Sequence, residues 1–245
     1  ARDTTQPSVF SHQILNAMPY AFLDDAPLEE RRSRAVALRR ALPESNDDLG
    51  SLDPDAIENA SRDAWPLVRD ADELHDALLT LGILPERDPG ISDGWPAMFE
   101  ELVADRRAVR ARYGDGRVAW VATECAALTA AAFPEARFEP EPPTLPAQSE
   151  PPSEEDAVLA IVRGRLECTG PITPESLAET LGMRHGAVKI ALAHLEGTGG
   201  IIRGRFTPGL DPDLNQEEVC DRLVLARIHR DTVGRLRREI EPVSA

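Results

Sequence analysis

Between Pro134 and Ser153 the chain reads PEARFEPEPPTLPAQSEPPS, and this run constrains the fold more than any motif. Proline fixes its own φ, lacks an amide donor and pushes the preceding residue toward extended backbone, so neither a helix interior nor a central strand tolerates it at this density. The glutamates add charge and no core. The segment therefore reads as an extended linker that divides the 245 residues into two compact parts. Apolar residues make up 42% of the chain but aromatics only 4%, and most of the apolar set is Ala, Leu and Val, a bias toward helices packed through small side chains.

Ahead of the linker, Val9–Met18 and Pro27–Leu42 carry helical apolar spacing, and residues 1–52 are expected to form a helical lead-in from a preceding module. Asp53 and Asp70 then each precede a helical pattern, and a third helix is expected over Trp95–Arg110, with Met98, Leu102 and Val109 on one side. RRAVRARYGDGRVAWVA follows, alternating in character and turning at Gly114-Asp115-Gly116, a hairpin signal. Three helices and a hairpin predict a first winged-helix-like domain over 53–133. Its Arg106, Arg107, Arg110, Arg112 and Arg117 are interleaved with acids.

Past the linker, Glu154–Glu167 is amphipathic, and ITPESLAETLG follows with Thr173 as cap, Pro174 at the first helical position and Gly182 as stop. Met183–Glu196 buries Ala187, Val188, Ala191, Leu192 and Leu195, which leaves Arg184, His185 and Lys189 on the opposite face near the amino end, where recognition helices enter a major groove. The strand GIIRGRF sends Ile202 and Phe206 inward and Arg203 and Arg205 outward, as a wing does for phosphate contact. Residues 154–210 thus predict a second winged-helix domain, and 211–245 a basic helical extension. The fold class expected is mainly α with short β wings, two winged-helix-like domains joined by a Pro/Glu-rich linker. Although the whole chain carries a formal charge of −16, the local balance from Arg184 to Arg205 is positive, so net charge does not forbid nucleic-acid binding there.

Other chemistries find less support. Lys189 is the only lysine and no glycine loop precedes it, so the phosphate-binding loop that ATP hydrolysis requires is absent. DELH at Asp72–His75 imitates a helicase metal box, but it opens an amphipathic run with Leu74, Ala77, Leu78 and Leu81 instead of following a buried strand. Cys125, Cys168 and Cys220 are widely spaced, which fits buried thiols better than disulfides or zinc. No catalytic or metal-ligating residue is nominated. Apolar runs such as CAALTAAAF fall short of the roughly 18 residues of a membrane span. The amino terminus shows no signal pattern, so a cytoplasmic segment cut from a longer chain is expected.

Four long phrases also carry a family resemblance: ILNAMPYAFLDDAPLEERRSRAV (Ile14–Val36), DADELHDAL (Asp70–Leu78), ELVADRRA (Glu101–Ala108) and LVLARIHRDTVGRLRREIEPVSA (Leu223–Ala245). They resemble the region downstream of the motor in the bacterial large helicase-related (Lhr) family, over most of the chain apart from the linker and Pro43–Leu52. The resemblance implies a parent that is a superfamily 2 ATP-dependent DNA helicase, moving 3′ to 5′ on single strands, unwinding duplexes and RNA:DNA hybrids, and serving repair. ATP and Mg would belong to that motor, with no cofactor in this segment. The segment would start near the end of the helicase core and enter a region of tandem winged helices that resembles a winged-helix DNA glycosylase. Both motor domains and the extreme carboxy terminus, which holds an acidic residue assigned to glycosylase chemistry, are missing. No catalytic residue is carried over.

Three classes of function follow. One is a non-catalytic segment of a repair helicase that contacts single-stranded or forked DNA, or an RNA:DNA hybrid, through Arg184, His185, Lys189, Arg203 and Arg205. Another is a scaffold that joins the motor of the same chain to its carboxy-terminal region or assembles copies of the chain. The last is part of a glycosylase-like region.

Overall fold

The computed structural model describes residues 52–143, 151–208 and 217–240, so the lead-in expected over 1–52 lies outside the described residues except for Leu52. Among the described residues the protein is mainly helical with two small antiparallel sheets. The order is α1 (Pro54–Ala64), α2 (Ala71–Leu81), β1 (Leu84–Pro85), α3 (Trp95–Ala104), β2 (Ala108–Tyr113), β3 (Arg117–Ala122), a 3-10 turn at Thr123–Cys125, α4 (Ala126–Ala132) and β4 (Arg137–Glu139). Then come α5 (Glu154–Glu167), α6 (Pro174–Leu181), α7 (His185–Gly197), β5 (Ile201–Gly204), β6 (Glu218–Asp221) and α8 (Arg222–Ile240). By internal contacts the chain forms two units, one made of residues 63–168 and 174–192, the other of residues up to 62, 169–173 and from 193 onward. Residues 154–210 thus supply α5 and α6 to the first of these units and β5 to the other.

The larger core lies in the 63–168/174–192 unit. Asp70 caps α2 by accepting the Glu73 amide at 2.9 Å, and Gly82, at φ 72°, ends the helix with a left-handed residue. Leu74, Leu78 and Leu81 of α2 pack with Trp95, Phe99 and Leu102 of α3 against Trp120 on β3, where the Phe99 and Trp120 rings stack 4.5 Å apart. The sheet runs β1-β3-β2-β4, and the hairpin pairs Arg112 with Val118 and Tyr113 with Arg117 across the glycine turn, where Gly114 and Gly116 hold φ 51° and 82°. DELH lies within helix α2: Asp72 is paired with Arg107 at 2.5 Å, Glu73 with Arg69, and buried His75 meets Glu124 at 3.1 Å.

Close approach of α5 to the end of α2 requires Gly164, because a Cβ there would lie 1.9 Å from the Thr80 carbonyl oxygen. Gly164→Ala is therefore expected to destabilise the protein by about 1–3 kcal/mol through overpacking. Gly186→Ala, on α7 with open space around the added methyl, should instead stabilise by up to about 1 kcal/mol. Urea midpoints check the pair, and equal midpoints for both variants would contradict the packing.

A buried ion pair fastens the loop after β1. Arg165 Nη1 of α5 stands 2.7 Å from Asp88 Oδ2, with the side chains 8% and 1% exposed, and the guanidinium lies over the Trp65 ring at 4.8 Å. The Gly90 amide donates to Asp88 Oδ1 and the Trp65 indole donates to the Gly90 carbonyl, each at 2.9 Å. The short separation is not accompanied by a directed hydrogen bond: among the described residues Arg165 Nε and Nη1 and Asp88 Oδ2 have no hydrogen-bond partner. Attraction there is Coulombic and depends on both charges being present.

In the other unit β5 and β6 form a two-stranded antiparallel ribbon that pairs Ile202 with Cys220 and Arg203 with Val219, and α8 packs against it. The Asp53 amide donates to Thr232 Oγ1 at 3.1 Å, while Arg235 bonds both Asp53 carboxylate oxygens at 2.8 Å, so α1 and α8 are tied together. Among the described residues no helix is long and apolar enough to cross a membrane.

Three segments differ from their sequence expectations. The helix expected over Trp95–Arg110 stops at Ala104, because Arg106 takes a left-handed φ of 59° and the Arg107 amide closes on the Leu102 carbonyl at 2.8 Å, so Val109 enters β2. Within the segment read as linker, Arg137–Glu139 forms strand β4 on β2, with Phe138 opposite Ala111. The extension expected to be helical over 211–245 begins in its described part with β6, where Val219 and Cys220 are fully buried, before α8 starts at Arg222.

Candidate nucleic-acid interface

Helices α6 and α7 meet at a tight corner. Met183 N–H bonds the Ala178 carbonyl at 2.9 Å and Gly182 N–H the Glu179 carbonyl at 3.2 Å, a Schellman closure with Gly182 at φ 65°, the stop its glycine predicts. Arg184 caps α7 by backbone, its carbonyl accepting from Ala187 and Val188. Along α7 the buried side is Val188, Ala191, Leu192 and Leu195, with Ala187 half-buried. His185, Lys189 and the Arg184 cap are exposed as the helical spacing predicts.

That face is not an open field of positive charge. Arg184 is paired with Glu154 at the start of α5, and Lys189 Nζ is 3.6 Å from Glu175 of α6. His185 borders a groove of about 400 Å³ between the β2–β3 turn and α6, lined also by Asp115, Arg117, Glu175 and Glu179. Tyr113 fixes that turn's position by donating its hydroxyl to the Leu181 carbonyl at 3.2 Å, and burial pushes its phenol up to about 12. Arg184, His185 and Lys189 belong to the 63–168/174–192 unit, while Arg203 and Arg205 belong to the other.

In the β5–β6 ribbon, Ile202 and Phe206 are buried as alternation predicts, and Ile201 is buried too. Arg203 is half-buried and pairs with Glu196 at 3.1 Å, whereas Arg205 is exposed just past the strand end. Glu218, buried on β6, accepts the Phe206 and Thr207 amides, each at 2.8 Å, and the Thr207 hydroxyl at 2.6 Å, which locks the segment that carries Arg205. Of the three thiols, Cys168 and Cys220 are buried and Cys125 is half-buried, where burial raises its pKa to about 11. Among the described residues no group of three or more His, Cys, Asp or Glu side chains is placed to hold a metal.

No family model matches this sequence. A protein of Mycolicibacterium smegmatis named Lhr helicase/probable uracil glycosylase is 30% identical over 258 aligned residues, which cover 99% of this chain. Over nearly its whole length this chain is similar to a region of an Lhr helicase-related protein. It spans 16% of that relative's length.

Of the phrases that carry the resemblance, Ile14–Val36 lies outside the described residues, and the described parts of the other three fall on packed structure. DADELHDAL is the cap and first turns of α2, ELVADRRA is the end of α3 with the left-handed Arg106 turn, and LVLARIHR opens α8. Sequence reasoning missed Ile190, which is 64% exposed on α7 beside Lys189. Its isolation from the apolar positions 187, 188, 191, 192 and 195 was the available signal.

Proposed function

We propose that this Lhr-family segment is a non-catalytic, DNA-contacting accessory part of an ATP-dependent DNA helicase, with two winged-helix-like domains over 53–133 and 154–210. The observation that carries the reading is the α6–corner–α7 arrangement, which exposes Arg184, His185 and Lys189 at the amino end of a helix whose other side is buried. The relative's name supports the helicase context. Surface ion pairs such as Arg184–Glu154 and Lys189–Glu175 are worth about 0–1 kcal/mol, so phosphate oxygens can displace those carboxylates. The partners proposed are single-stranded or forked DNA, or an RNA:DNA hybrid, and the motor of the same chain, which would hold ATP and Mg.

The test is fluorescence anisotropy with labelled DNA at several salt concentrations, comparing the parent chain with Arg203→Ala/Arg205→Ala. Two lost phosphate contacts should lower the magnitude of the slope of log affinity against log salt by about 2 units. Arg203 must leave Glu196 to reach a phosphate, so Glu196→Gln should tighten binding. An unchanged slope in the double variant, with concentration-dependent mass lost instead, would favour the scaffold reading. Uracil release from DNA by the purified segment would favour the glycosylase reading that the relative's name also suggests.

A further inference from the structure

A second cationic site stands on the four-stranded sheet, apart from the residues used above. Arg112 on β2 and Arg137 on β4 are direct register partners, and both are exposed. Like charges directly opposite on neighbouring strands repel, because their Cβ atoms are about 4.5–5.5 Å apart. In a chain with 43 acidic and 27 basic residues a carboxylate beside them would be easy to supply. Arg69, Arg107, Arg110 and Arg184 in the same unit each have one, and Arg87, Arg106 and Arg163 do not among the described residues, so what sets Arg112 and Arg137 apart is that they stand directly opposite each other. Neither Arg112 nor Arg137 forms an ion pair among the described residues.

The neighbours sharpen this. On the same face Arg110 is held by Glu86 and Glu100 and lies over the Phe99 ring, so its charge is already answered. Two carboxylates flank the pair, Glu139 opposite Arg110 and Glu135, which accepts the Gly114 amide at 3.2 Å, and neither pairs with Arg112 or Arg137 among the described residues. The strand partner of Arg112 on its other side is Val118, which is uncharged. Backbone pairing thus sets the two arginines directly opposite each other, and among the described residues neither is paired with an acid.

We infer that Arg112 and Arg137 form a phosphate site that holds the sugar-phosphate backbone of a nucleic-acid strand. Guanidinium is suited to this because its planar fork bonds phosphate oxygens two at a time, and an anion between two such forks turns their repulsion into attraction. Contact to the backbone alone would position a strand without reading its sequence. The inference is independent of Arg184, His185, Lys189, Arg203 and Arg205.

The test uses the whole chain and its Arg112→Gln/Arg137→Gln variant, with inorganic phosphate and a labelled single-stranded oligonucleotide as separate probes. Without phosphate and at low salt, the variant should melt no lower than the parent, since the repulsion is gone. Inorganic phosphate should raise the parent's melting temperature more than the variant's. For the oligonucleotide, the salt slope of the variant should be smaller by about 1.4 units, at about 0.7 per lost contact on a single strand. Equal phosphate effects on both proteins would overturn the site. A phosphate effect confined to the parent, with identical oligonucleotide slopes, would overturn the nucleic-acid assignment and leave a site for free phosphate. Loss of slope here with none in Arg203→Ala/Arg205→Ala would sustain this site and reject the basic ribbon, and the converse result would reject this site alone.

Discussion

Arg165→Met is expected to destabilise the 63–168/174–192 unit by about 3–5 kcal/mol, because it leaves Asp88 charged and buried with nothing opposite it. The Asp88 side chain is 1% exposed and faces Arg165 at 2.7 Å, so water cannot take over the lost role. Methionine keeps much of the side-chain volume, and the loss is therefore chiefly electrostatic. Asp88→Asn/Arg165→Met should recover most of the stability, since the neutral amide can still accept the Gly90 amide bond that Asp88 Oδ1 makes at 2.9 Å. Urea denaturation followed by tryptophan fluorescence is a clean readout, as the three tryptophans, Trp65, Trp95 and Trp120, all lie in this unit. Trp65 is under the Arg165 guanidinium itself. A cost below about 1 kcal/mol for the single variant, or a double variant no better than the single one, would show that the pair holds little together.

Arg184→Gln/Lys189→Gln should weaken duplex DNA binding by roughly 60-fold at 0.1 M salt, from two lost contacts at about 0.9 slope units each. The same structure predicts an effect of opposite sign. Arg184 and Lys189 are held by Glu154 and Glu175, so Glu154→Gln/Glu175→Gln should tighten binding by freeing both cations. A scaffold surface gives no reason for these two double variants to move DNA affinity in opposite directions. Both changes concern exposed side chains, so folding should be spared, and matching urea midpoints would confirm that.

The sequence made some of this legible and hid the rest for identifiable reasons. Gly182, Gly114 and Gly116 marked their turns because left-handed backbone favours glycine, and the buried side of α7 followed from helical spacing. The end of α3 did not show, since Arg106 adopts the same backbone conformation without the glycine that would announce it. Strand β6 was hidden because Val219-Cys220 is too short an apolar run to show a period, and β4 because Arg137-Phe138-Glu139 sits among prolines. At the candidate interface, the positions of Arg184, His185 and Lys189 on α7 were readable, but their carboxylate partners were not. Glu154 and Glu175 are local to other helices, and only the fold brings them alongside. The Asp88–Arg165 pair and the Arg112–Arg137 juxtaposition were invisible for the same reason.

DNA contact by this segment is tested most directly by the salt dependence of its affinity, measured by anisotropy on single-stranded, duplex and forked oligonucleotides between low and physiological ionic strength. Three or four phosphate contacts predict a slope of log affinity against log salt of about −3 on duplex or forked DNA. Affinity that is immeasurable at low salt on all three substrates, or that does not change with salt, would contradict the account.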